Sequence, residues 1–101
     1  MTLYFNRLQP YQVTTNGGNW TYTTTNISGI LMHLIVRAST STTTFDFKIT
    51  DDFNVVLYER QDVDGEINEQ MQIPLKGKYK LDITDATADE GFNVYLAIRE
   101  I

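Results

Sequence analysis

Ile30-Leu31-Met32-His33-Leu34-Ile35-Val36-Arg37-Ala38 is the one long, nearly unbroken apolar run in this chain. Gly29 precedes it and the Ser/Thr tract from Ser39 to Thr44 follows it. Nine residues fall far short of the roughly 20 that a membrane-spanning helix needs. An amphipathic helix would leave a polar stripe, and the run has none. What remains is a strand with apolar neighbours on both faces, as at the centre of a sandwich. Strict alternation puts Ile30, Met32, Leu34 and Val36 on one face, and Leu31, His33, Ile35 and Arg37 on the other.

The flanking sequence keeps the same rhythm of short strands and turns. Leu3 to Leu8 reads as a first strand stopped by Gln9-Pro10, since proline cannot donate to a ladder. Tyr11 to Thr15 is a second extended piece. Asn16-Gly17-Gly18-Asn19 is the strongest turn signal, because glycine accepts positive φ and asparagine tolerates it. Trp20 to Thr25 alternates an aromatic face with a hydroxyl face, and Asn26 to Gly29 turns the chain into the apolar run. Ser39 to Thr44 is a loop leading into Phe45, Phe47 and Ile49, which alternate with Asp46, Lys48 and Thr50. Asp51 to Asn54 is a turn before Val55 to Arg60, and Asp62 to Gly65 is another. Ile67, Met71 and Ile73 mark a weaker strand ending at Pro74, followed by a tight turn at Lys76-Gly77. Tyr79, Leu81 and Ile83 point inward from the next strand. Asp85 to Gly91 is an acidic loop, with one short helical turn as the rival reading of Asp85 to Glu90. Phe92, Val94, Leu96 and Ile98 complete the last strand. The pattern predicts an all-β fold, an antiparallel β-sandwich or jelly roll. Residues 1–101 form one domain, with 1–10 as an N-terminal arm or edge strand.

With 101 residues, the chain can bury roughly 60–65% of its unfolded surface around one core. Hydrophobic residues at 42% and charged residues at 21% match ordinary globular usage. No cysteine is present, which excludes disulfides, thiol nucleophiles and thiolate metal sites. That absence and an N-terminus without a basic region followed by an apolar one point to folding inside a cell. The net charge of −5 repels phosphate backbones, and the basic residues are scattered apart from Lys76, Lys78 and Lys80. Neither a nucleic acid nor an anionic membrane is expected as partner.

No catalytic motif is present. Asp62-Val63-Asp64-Gly65 looks like a fragment of a calcium loop, but its glycine comes at the fourth position rather than the sixth. It reads better as a hairpin turn with solvated carboxylates. Asp82, Asp85, Asp89 and Glu90 could crowd around a cation, against the plainer reading of a solvated acidic loop. His33 is the only histidine, and a base there would need a nucleophile and an orienting carboxylate. Asp51 and Asp52 are adjacent, so on a strand they would face opposite ways and could not form a glycosidase pair. The expectation is a non-enzyme with no metal and no cofactor.

Aromatic residues gather near the start: Tyr4, Phe5, Tyr11, Trp20 and Tyr22. They could anchor a protein partner, stack on sugars, or cap the sandwich core. Asn19-Trp20-Thr21 and Asn26-Ile27-Ser28 match the glycosylation pattern, as chance would allow in so Thr-rich a chain.

The runs Trp20 to Thr25, Gly29 to Ala38, Gly77 to Ile83 and Gly91 to Leu96 resemble small virion proteins of tailed bacteriophages, of the capsid decoration (cement) type. The last two also resemble the Gly-x-Tyr strands of jelly-roll modules attached to secreted proteases and of carbohydrate-binding modules. The first resemblance implies a protein made in the host cytoplasm that sits on the capsid exterior. Its partners would be the major capsid protein and further copies of itself, a trimer being the favoured oligomer. It would bridge capsid subunits through apolar anchors and strand addition at an open sheet edge. Leu3, Tyr4 and Phe5 are the first candidate anchor, because a terminus can leave its domain. Tyr11, Trp20 and Tyr22 are the others. The alternative is a carbohydrate- or receptor-binding module, in a phage tail or secreted.

Overall fold

β-branched and aromatic residues in alternation, punctuated by Asn, Asp and Gly, form eight successive strands. The computed structural model describes residues 7–40 and 42–100, with side chains from 14 onward to 99 apart from residue 41. The strands are β1 (Arg7–Thr14), β2 (Trp20–Thr23), β3 (Ile27–Ala38), β4 (Thr44–Asp51), β5 (Val56–Asp64), β6 (Glu66–Gly77), β7 (Tyr79–Thr84) and β8 (Gly91–Glu100). They make two four-stranded sheets, ordered β1-β8-β3-β6 and β2-β7-β4-β5, with every pairing antiparallel. The pairs β1/β8, β2/β7, β3/β6 and β4/β5 nest inside one another. The chain is therefore one long hairpin, doubled back at the β4–β5 turn and wrapped around its own core. That is the jelly-roll arrangement, and the expected sandwich is present. The candidate anchors Leu3, Tyr4 and Phe5 lie outside the described residues.

The core lies between the sheets. Leu31, Leu34 and Val36 of β3 meet Phe45, Phe47 and Ile49 of β4, Leu81 and Ile83 of β7, and Val94, Leu96 and Ile98 of β8. Phe45 and Phe92 join the two sheets edge to face, with centroids 5.0 Å apart, the favoured geometry for a ring pair.

The strict alternation expected for β3 does not hold. Ile27, Gly29 and Leu31 are buried, and so are Leu34, Val36 and Ala38. Parity changes in between, because the register slips between Leu31 and His33 against both neighbouring strands. On the β8 side two residues, Met32 and His33, stand against the single step from Ile98 to Ala97. This β-bulge sends Leu31 and Leu34 to the same face, which no period-two reading can do. Ile30, His33, Ile35 and Arg37 consequently point outward. Gly29 fits because β8 comes close: a Cβ there would stand 2.4 Å from the Arg99 carbonyl oxygen.

Both prolines fail as strand stops. β1 runs through Pro10, opposite Tyr95, and β6 runs through Pro74, opposite Ile30. Each belongs to a strand at a sheet edge, where the missing N–H can face away from the ladder. The remaining edges are interrupted in other ways. β2 has only four residues. β5 carries Glu59, Arg60 and Asp62, and Asp62 sits at φ 54° beside a register slip against β4. Short length, charge, proline and bulges are the devices that blunt an edge against strand addition.

The Asn16–Asn19 and Asp51–Asn54 turns agree with the sequence, whereas the turns expected at Asn26–Gly29, Asp62–Gly65 and Lys76–Gly77 are largely strand, since β3 begins at Ile27, β5 runs through Asp64 and β6 runs through Gly77. Gly17 and Gly18, at φ 63° and 84°, form a two-residue turn closed by paired backbone bonds between Asn16 and Asn19. The non-glycine residues with positive φ among those described are Asn54, Asp62, Asp85 and Asp89, the residue types that tolerate it. Residues 85–90 form a loop rather than a helical turn. Buried Thr15 holds that loop: its hydroxyl donates to the Thr87 carbonyl at 2.6 Å and accepts from the Glu90 amide at 3.0 Å.

Candidate functional site

Three places on this scaffold merit chemical scrutiny: the aromatic side at β1 and β2, the bulge on β3, and the β4–β5 turn. Trp20 and Tyr22 pair in register with buried Ile83 and Leu81, so they share the core-facing side of their sheet. Their rings lie parallel, with an interplanar angle of 3° and centroids 6.0 Å apart. Trp20 packs against the core, while Tyr22 remains 37% exposed. Tyr11 lies on β1, opposite Val94. β1 and β2 are the edge strands of the two sheets on one flank of the sandwich. The structure thus brings the Tyr11, Trp20 and Tyr22 positions to a single flank.

The opposite flank, between β5 and β6, is closed by polar groups. Tyr58 donates to the Glu69 carboxylate at 2.7 Å, and Arg60 pairs with the same carboxylate. Burial, then the hydrogen bond to Glu69, pushes the Tyr58 hydroxyl up to about 12.

At the bulge, Met32, His33, Gln70, Met71 and Gln72 line a shallow groove of about 450 Å³. His33 Nε2 lies 2.5 Å from Asn68 Oδ1; with an amide oxygen as acceptor, Nε2 carries the proton. Asn68 in turn donates towards Glu66 at 3.5 Å, and Glu66 pairs with Arg37 at 3.1 Å. The bond to Glu66, then the charge of that carboxylate, hold the Arg37 guanidinium above its ordinary range, and the same bond holds the Glu66 carboxyl below its own. The groove lining contains an imidazole, two thioethers and two amides, with no carboxylate and no hydroxyl nucleophile.

The acidic residues serve the backbone. Glu90 is buried and accepts from the Thr40 amide at 2.8 Å. Asp46 accepts from the Asp62 amide at 2.9 Å. The Asp85 carboxyl is held above its usual range by its hydrogen bond to Asp46, then by the charge of Asp46, by burial and by Asp62. Among the described residues no group of three His, Cys, Asp or Glu side chains is placed to hold a metal ion.

The β4–β5 turn is the feature that sequence reasoning passed over. Phe53 is 86% exposed, with Val55 and Val56 exposed beside it. The turn is nonetheless fixed. Asp51 Oδ1 accepts from the Phe53 amide at 2.8 Å and the Val55 amide at 2.9 Å. Backbone bonds run from Asp51 N to Val55 O and from Asn54 N to Asp51 O. An Asx turn of this kind orders the loop without burying it. The signal was an aromatic residue inside Asp51-Asp52-Phe53-Asn54, a turn that offers no strand face to cover it.

The chain is thus a jelly-roll sandwich with an aromatic flank, a groove lined in part by two methionines, and an apolar turn held by Asp51. It matches no family model and no curated protein. Among solved structures it is similar to the mitogen of Yersinia pseudotuberculosis, with a TM-score of 0.61 at 9% identity over 91% of this chain and 86% of that one. It is also similar to PliG of Aeromonas hydrophila, a periplasmic inhibitor of g-type lysozyme. There the TM-score is 0.56 at 16% identity, over 90% of this chain and 85% of that one. VP2 of infectious bursal disease virus aligns at a TM-score of 0.45 and 15% identity, over 95% of this chain but 33% of that one. At these identities the first two likenesses establish the shared fold.

Proposed function

We propose that the chain is a non-enzymatic virion protein of the capsid decoration type, which binds the outer capsid surface and bridges neighbouring subunits. The observation that carries the binding half of this reading is the pair of parallel rings, Trp20 and Tyr22, on the edge strand β2, with Tyr22 37% exposed. The capsid half is supported by the resemblance of the Trp20, Gly29, Gly77 and Gly91 runs to tailed-phage decoration proteins. A net charge of −5 suits the outer face of a shell rather than its DNA-lined interior. Docking proceeds through side chains, because each sheet edge is blunted against strand addition. The β1/β2 flank is the capsid-facing side, with the Tyr11, Trp20 and Tyr22 positions on it, and Leu3, Tyr4 and Phe5 are the further candidate anchors. Co-sedimentation with capsids stripped of the protein tests this. Binding is expected for the full chain, with loss on Trp20→Ala or on removal of residues 1–9. Absence of binding by the full chain would overturn the reading.

The parallel Trp20 and Tyr22 rings favour one alternative, a carbohydrate- or receptor-binding module on which a sugar face stacks. It predicts glycan-array binding that disappears in Trp20→Ala, with no affinity for capsids.

A further inference from the structure

We infer that the end of the sandwich that carries Phe53 docks on a lipid bilayer with anionic headgroups, the ring entering the bilayer and neighbouring lysines meeting the headgroups. With every pairing antiparallel, the connections alternate between two ends. Those of β2–β3, β4–β5 and β6–β7 lie at one end, and those of β1–β2, β3–β4, β5–β6 and β7–β8 at the other. Phe53 is 86% exposed at the first end, with Val55 and Val56 exposed beside it. Asp51 already orders the turn through the Phe53 and Val55 amides, so little conformational freedom remains to be lost on docking.

A net charge of −5 would repel an anionic surface if it were evenly spread, and it is not. Asp62, Asp64, Glu66, Asp85, Asp89 and Glu90 stand at the far end, with Arg37 tied to Glu66. At the Phe53 end Lys76, Lys78 and Lys80 are exposed, and among the described residues none of them is paired with a carboxylate. Lys80 is in register with Thr50, and Tyr79 with Asp51, so Lys78 and Lys80 adjoin the turn. Lys76, on β6, belongs to the other sheet. Asp51 is engaged with the backbone, which leaves Asp52 as the exposed carboxylate beside the ring. β4, eight residues long at roughly 3.3 Å each, holds the two ends farther apart than two Debye lengths of roughly 8 Å. The lysines share an end rather than a face, since they come from both sheets. A flat anionic surface meets all three at once and closes around the ring without a matching pocket, which a protein partner would have to supply. That distribution makes a bilayer the fitting occupant, with the lysine stems lying along it and the ammonium groups in the headgroup layer. This docking goes beyond the capsid reading and uses a surface other than the β1/β2 flank.

Flotation of the full chain with vesicles of equal parts phosphatidylserine and phosphatidylcholine, beside vesicles of phosphatidylcholine alone, tests it. The chain is expected to float with the mixed vesicles at low salt, less at high salt, and hardly at all with phosphatidylcholine alone. Phe53→Ala is expected to weaken binding about tenfold or more, and Lys78→Gln/Lys80→Gln about fivefold for each lysine removed. Asp52→Asn is expected to strengthen binding by about the same factor, a gain that no failure to fold can imitate. All four positions are exposed, so each variant should melt at the wild-type temperature. Absence of the wild type from the mixed vesicles, or binding there that Phe53→Ala leaves unchanged, would overturn the inference. So would self-association in sedimentation velocity that Phe53→Ala abolishes without any flotation, since the turn would then belong to a second copy. Capsid co-sedimentation is read on Trp20→Ala and flotation on Phe53→Ala, so either reading can fail alone.

Discussion

The middle of β3 and the β4–β5 turn carry similar apolar side chains and put them to opposite use. Leu31, Leu34 and Val36 have no exposed surface at all, whereas Phe53, Val55 and Val56 stand in solvent. The difference is made by backbone placement. A strand covered on both flanks delivers every second side chain to the core, and the bulge at Met32 preserves that delivery when strict alternation would fail. A turn has no inward face. Its order comes from the Asp51 carboxylate accepting two amides. One region is held by packing and the other by a side chain folded back on the main chain, so perturbations should separate them.

Leu34→Ala should produce the largest effect. It removes a fully buried side chain from the strand both sheets depend on, at a cost of about 2–5 kcal/mol. Urea unfolding should show a lower midpoint with an unchanged slope. A loss below about 1 kcal/mol would mean that the core relaxes around β3 and that the contrast is overstated.

Asp51→Ala comes next. Losing the two amide bonds should cost about 1 kcal/mol and release the turn. Hydrogen exchange at the Phe53 and Val55 amides should accelerate while the β3 amides keep their protection. If protection fell equally in both places, the turn and the strand would be one cooperative unit and the comparison would break.

Most of this architecture could be read from the residues, and its failures share one cause. The Asn16–Asn19 turn, the Asp51–Asn54 turn and the inward rows of β4, β7 and β8 follow from local chemistry, because turn residues and period-two patterns act within a few positions. The bulge at Met32 could not be read, since it depends on what β8 and β6 present to β3. Pro10 and Pro74 were misread for the same reason: whether a proline stops a strand depends on its place in the sheet order. The aromatic residues of the first quarter were visible, but that Trp20 and Tyr22 face the core side of their sheet is again a matter of register with β7. Phe53 was visible too; its exposure required knowing that no described residue folds over the turn.

Asp85→Asn should give a smaller change of opposite sign, located in a turn. The Asp85 carboxyl is held above its ordinary value of 3.8, first by its hydrogen bond to Asp46. The folded chain therefore binds this proton more tightly than the unfolded one. The resulting stability is complete below about pH 3.8 and is lost as pH rises through the higher folded value. Above that folded value a charged Asp85 is opposed by the charge of Asp46. Asparagine keeps the positive φ of 55° and can donate to Asp46 without charge, so the melting temperature should rise at neutral pH. The gain should vanish in acid, where wild-type Asp85 is protonated; an equal gain at both pH values would assign it to something other than this pair.

Phe53→Ala should have the smallest effect on stability, within about 0.5 kcal/mol, because an 86% exposed ring contributes little to folding. This near-zero value sharpens the contrast most. Leu34→Ala should lower the urea midpoint and leave the folded surface as it was. Phe53→Ala should leave the midpoint in place and remove an exposed ring from that surface. If Phe53→Ala instead lowered the midpoint by as much as Asp51→Ala, the ring would be packed against its neighbours in solution. The turn would then be a small satellite of the core, and its Asp51 bonds would be holding a folded cluster rather than a ring offered to a partner.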